Sequence, residues 1–135
     1  MKSAVFVVWS ILSIVGSIVL GGRLEASQTG PGMPKDVKSI FKKDCAACHK
    51  GVFAPKHLKL EPKGLPASVL NVPSREKPEL KLVDTASPEA SYLMKKIKGD
   101  KNIAGKMMPP PARTPLTADE IARIEAWITS LKDNR

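Results

Sequence analysis

The sequence predicts a small helical domain in which long loops separate a few helices. Apolar residues recur at helical spacing over residues 35–44, 87–99 and 117–132. Most of the twelve prolines and nine glycines lie outside those stretches, where they punctuate loops. No run of strongly hydrophobic strands alternating with helices suggests a parallel sheet.

The first 26 residues read as an export signal. Lys2 is followed by the uncharged stretch from Ala4 to Gly22 and then by Leu24-Glu25-Ala26 before Ser27, which predicts a signal peptide over 1–26 cut after Ala26. The alternative is an uncleaved N-terminal anchor through residues 4–22, which is just long enough to span a bilayer. Either reading sends residues 27–135 out of the cytoplasm, into a periplasmic or otherwise exported setting. That remainder is enough for one small domain. Its large rings are Phe41, Phe53, Tyr92 and Trp127, so a bulky apolar prosthetic group would help to fill the core.

After the polar leader 27–34, Val37, Ile40 and Phe41 fall on one face of a helix with Lys38, Lys42 and Lys43 on the other. Residues 50–86 are irregular. Leu58 and Leu60, then Leu80 and Leu82, alternate with charged residues as half-buried extended segments do, with room for one helical turn between them. A loop region this long usually wraps something functional. Ser87-Pro88-Glu89 predicts the next helix, with Ser87 as N-cap and Pro88 at the first position. That helix buries Leu93 and Ile97, with Tyr92 and Met94 beside them, and stops at Gly99. Thr117 and Glu120 form a capping box for the last helix. There Ile121, Ile124, Ile128 and Leu131 make one apolar stripe, with Trp127 alongside.

The two cysteines of the chain, Cys45 and Cys48, stand in KKDCAACHKG, with His49 immediately after them. A disulfide between them would close a loop too short to add much stability. A thioredoxin-like redox pair needs a βαβ context that the chain lacks. A zinc site would need Cys45, Cys48, His49 and His57 together, and adjacent ligands at 48 and 49 fit one tetrahedron poorly. C-x-x-C-H is instead the attachment signal for a c-type haem. Each thiol adds across one vinyl group on the same porphyrin edge, two residues span the gap, and His49 then lies under the ring as an iron ligand.

The residue opposite His49 decides the function. A methionine there makes a carrier of raised potential, whereas an open site binds gases or peroxide. Met33, Met94, Met107 and Met108 are the candidates outside the leader. Met94 sits at core spacing in a helix and reads as filler. Met108 precedes Pro109-Pro110-Pro111, and a residue before proline is pushed towards an extended backbone. Met107 and Met108 then point to opposite sides, so only one faces the metal. His57 follows the proximal motif too closely to reach the far face easily, and reads as a loop histidine.

The order CAACH, SPEASYLMKKIKG, KMMPPP and LTADEIARIEAWITSL over about residues 36–131 resembles the exported single-haem type of bacterial c-type cytochrome domain. The resemblance implies an all-α, cytochrome c-like fold, with helices 35–44 and 117–132 crossing through Phe41, Ile124 and Ile128 and loops enclosing one covalent haem. It also implies that the methionine before the Pro-Pro pair, here Met108, is the distal ligand. A Gly-Pro after the haem histidine often supplies the carbonyl that holds the imidazole. Here the nearest equivalent is Pro55, a departure from that pattern.

The expected function is that of an electron carrier working between periplasmic redox partners through a His/Met-ligated haem c, with no acid–base chemistry and no enzymatic step. The alternatives are a haem sensor or haem enzyme with an exchangeable sixth ligand, and the cytochrome subunit of a larger oxidoreductase complex. Residues 27–135 hold 20 Lys and Arg against 12 Asp and Glu. Lys42, Lys43, Lys50, Lys56 and Lys59 cluster around the attachment motif, which suits an acidic redox partner or an anionic membrane surface. The exported compartment excludes nucleic acid as partner.

Overall fold

The computed structural model describes residues 32–132, so the leader or anchor expected over residues 1–26 lies outside the described residues. Four α-helices lie among the described residues, α1 Lys35–Ile40, α2 Leu65–Val69, α3 Tyr92–Lys98 and α4 Ala118–Ser130, besides short π-helical and 3-10 turns. Among the described residues there is no strand, only isolated bridges pairing Leu70 with Val83 and Pro73 with Lys81. No helix among them is long and apolar enough to cross a membrane.

The helical stretch expected over residues 35–44 is present, as α1 continued by a turn of a different type. After Ile40 the chain widens into a π-helical turn, Phe41–Cys45, closed by the Ala46 N–H donating to the Phe41 carbonyl at 2.8 Å. Such turns are rare and occur often at functional sites. The terminal helix matches its capping signal. Thr117 accepts from the Glu120 N–H at 3.2 Å, and the Glu120 carboxylate accepts from the Thr117 N–H at 2.9 Å.

Helix α1 packs against α4, and just beyond α1 the Phe41 ring of the π-turn meets Trp127 edge-on with centroids 6.0 Å apart and planes at 80°. Ile124 and Ile128 are buried in the same core, as the stripe predicts, while Ile121 and Leu131 are half-buried at its margin. Trp127, expected beside the stripe, is a principal contact. Ion pairs from Asp36 of α1 to Arg123 and from Lys43 of the π-turn to Glu120 also reach α4, and exposed pairs of this kind contribute little.

The third helix starts later than Ser87-Pro88 suggests. Pro88–Ala90 forms a separate 3-10 turn, and α3 begins after Ser91. The reason lies in the irregular segment before it. The carbonyls of Lys81 and Leu82 accept from the N–H groups of Tyr92 and Leu93, both at 2.9 Å, satisfying first-turn donors that a cap would otherwise serve. The Ser91 hydroxyl instead accepts from the Asp84 N–H at 3.0 Å. The helix does end at Gly99, whose φ of 67° is the left-handed conformation that glycine adopts without strain.

Candidate haem-binding site

The π-turn delivers Cys45 directly into one further turn. The Cys45 carbonyl accepts from the Cys48 N–H at 3.1 Å and from the His49 N–H at 2.9 Å. Residues three and four apart on a helical turn are neighbours, so Cys45, Cys48 and His49 share one side of it. Cys45 is half-buried against the apolar core, Cys48 is exposed, and both thiols are free. Burial, with the Asp44 carboxylate beside it, pushes the Cys45 thiol up to about 12. A redox dithiol works through a depressed thiol, so this environment opposes that reading. Among the described residues no group of three or more His, Cys, Asp or Glu is placed to hold a metal ion.

His49 is clamped at both ends. Its carbonyl accepts from the Leu60 N–H at 2.8 Å, and its ring Nδ1 lies 3.1 Å from the Leu58 carbonyl. A carbonyl can only accept, so Nδ1 carries the proton in this contact and Nε2 is the nitrogen left with a lone pair. The carbonyl near the imidazole is therefore that of Leu58 and not that of Pro55. Pro55 instead opens the short 3-10 turn Pro55–His57, where Lys56 and His57 have φ of 56° and 54°. Two consecutive left-handed residues cost backbone energy. Here they immediately precede Leu58, the residue that supplies the carbonyl. His57 itself is exposed on this turn.

The methionine loop is tied to α3. The Met108 N–H donates to the Lys96 carbonyl at 2.9 Å, and the Met108–Pro109 peptide is cis. Met107 and Met108 are both half-buried. The Met107 sulfur lies 3.6 Å from the position that a Cβ on Gly99 would take, so Met107 packs over the end of α3. Met33 and Met94 are buried in the apolar core.

A cytochrome c family model matches residues 34–132. The chain belongs to the cytochrome c family. No curated protein and no solved structure matches it. Cytochrome c domains hold haem c covalently and pass electrons to redox partner proteins, so this cytochrome is a haem-c electron-carrying protein of all-α, cytochrome c-like fold. The residues present fit that group. They offer two free thiols and a half-buried imidazole on one turn, and the imidazole's Nδ1 is already engaged by a backbone carbonyl.

Two features of this site escape sequence reading. The Leu58 carbonyl has no side-chain signature, because any residue at that position offers the same acceptor. The second is a part-buried polar cluster of Glu76, Tyr92 and Lys96 bonded to Ala104, four residues before Met108. Its sequence signal is the spacing of four that puts Tyr92 and Lys96 on one face of α3.

Proposed function

We propose that Cys45 and Cys48 hold haem c through thioethers, that His49 Nε2 and Met108 Sδ are the axial ligands, and that the protein carries single electrons between partner proteins in an exported, periplasmic setting. The bound group supplies an iron that takes up and releases one electron. The observation that carries this reading is the His49 clamp, since a ligating histidine usually donates its other ring nitrogen to a carbonyl or carboxylate, which holds the ring in orientation. Met108 is the preferred sixth ligand because Met107 packs on Gly99, while Met33 and Met94 serve the core. A thioether in that position raises the potential and leaves no open coordination site for catalysis.

The test is to denature the mature protein in acid and acetone and weigh the polypeptide. The expected result is a chain heavier than the apoprotein by one haem. Extraction of the haem with a chain of apoprotein mass refutes thioether attachment.

The partner reading rests on charge. Lys42, Lys43, Lys50, Lys56 and Lys59 are all exposed, and Phe53 beside them is 96 % exposed. Complementary charge mainly speeds encounter. Electron transfer to an acidic partner at low protein concentration is therefore expected to slow as salt rises and the screening length falls from about 8 Å at physiological salt to about 3 Å at 1 M. A rate indifferent to salt assigns these lysines to an ordinary solvated face.

A further inference from the structure

The Ala104 peptide groups sit at the centre of a closed ring of hydrogen bonds. The Ala104 N–H donates to the Tyr92 hydroxyl at 3.0 Å, and the Ala104 carbonyl accepts from Lys96 Nζ at 2.8 Å. Both side chains belong to α3, and both converge on one carboxylate oxygen. Glu76 Oε2 accepts from the Tyr92 hydroxyl at 3.1 Å and pairs with Lys96 Nζ at 2.9 Å. Lys96 is a buried cation and Tyr92 a buried phenol. Groups of this kind are costly to bury unless all their partners are present. Burial alone would push the Glu76 carboxyl up, but the Lys96 ammonium and the Tyr92 hydroxyl outweigh it and hold the carboxyl below its usual range. Four residues beyond Ala104, the Met108 N–H donates to the carbonyl of the same Lys96. The loop that carries Met108 is thus fastened to α3 at Ala104 on both sides and again at Met108.

We infer that Glu76, Tyr92 and Lys96 form a latch that positions the 104–108 loop, so that Glu76, distant in sequence, governs how often Met108 leaves the iron. This rests on the reading of Met108 as sixth ligand, and the latch itself can be tested apart from that reading. Glu76 acts only through the other two residues. In Glu76→Gln, Lys96 keeps a buried charge with no counter-ion, and Tyr92 and Lys96 are left to share a neutral amide oxygen, a weaker acceptor than the carboxylate. Both side chains then gain by reaching for water, and the bonds to Ala104 go with them.

The experiment compares native-state amide exchange and ligand entry in the holoprotein, the Glu76→Gln variant and the Tyr92→Phe variant. The amides of Ala104 and Met108 are expected to exchange about tenfold faster in Glu76→Gln, the scale of one lost hydrogen bond to a charged group, relative to the Ile124 amide in α4. Tyr92→Phe should accelerate Ala104 more than Met108, because the phenol is the acceptor for Ala104 alone. Lys98→Ala, which breaks an exposed ion pair from the end of α3 to Glu125 of α4, should leave both amides at their original rates. Binding of imidazole to the ferric protein, which must wait for the sixth ligand to leave, should quicken in Glu76→Gln by a similar factor. Unchanged exchange at Ala104 and Met108 overturns the latch, and so does equal acceleration of Ile124, which marks general destabilisation. Should Met108→Ala itself leave the sixth position closed, the ligand reading has failed, and the amide exchange alone decides the latch.

Discussion

Replacing Met108 with alanine is expected to open the sixth coordination position. The ferrous protein should then bind carbon monoxide readily, which the parent should resist, and the ferric spectrum should lose its weak red methionine–iron band. The potential should fall, because a thioether favours ferrous iron over ferric more than water or a nitrogen ligand does, and axial ligation is a main lever over a range of about 0.8 V. The other nearby thioether cannot easily substitute. Met107 lies over Gly99 at the end of α3, and its backbone neighbour is anchored to the Lys96 carbonyl. Met107→Ala should accordingly retain the low-spin spectrum. If Met107→Ala opens the site and Met108→Ala does not, the ligand is one residue earlier than proposed. If neither opens it and His57→Ala does, the centre is bis-histidine and its potential is not raised by a thioether.

The second large effect concerns the helix crossing. Phe41→Ala should destabilise the holoprotein by about 3–5 kcal/mol, the usual cost of deleting a fully buried aromatic ring and leaving a cavity. Against a total of about 5–15 kcal/mol for a domain of this kind, that is a large fraction. Phe41 is fully buried, and its edge contact with Trp127 adds about 0.5–1.5 kcal/mol beyond burial alone. Guanidinium unfolding measures it, with Ile121→Ala, half-buried at the margin of the same interface, as the milder comparison. The site should feel the change, since the Phe41 carbonyl closes the π-turn that presents Cys45. A loss below about 1 kcal/mol, the range of ordinary surface or marginal substitutions, contradicts the central place given to this contact.

Much of the local structure was legible because it depends on neighbours in the chain. The capping box at Thr117, the stripe of Ile124 and Ile128, and the stop at Gly99 are each set by side chains within a turn or two of one another. The CAACH motif is equally local, since its spacing is dictated by the group it attaches, and the cytochrome family followed from it together with the MPP and W-I segments. The start of α3 departs from the sequence pattern because Ser87-Pro88 is a good local signal that loses to a distant one. The carbonyls of Lys81 and Leu82 take the first-turn donors and shift the start to Tyr92.

What the chain's order alone determined is therefore the set of chemical groups and the short-range turns that carry them: two thiols and an imidazole on one turn, a methionine before a run of prolines, and a capped terminal helix with one apolar face. Tertiary structure alone decided which backbone carbonyl faces His49, which methionine packs on Gly99, and that Glu76, Tyr92 and Lys96 meet around Ala104. The physical reason is that hydrogen bonds to backbone groups and the pairing of buried charges depend on where segments far apart in sequence come to rest. Residue type and spacing record which groups exist, and packing settles which of them meet.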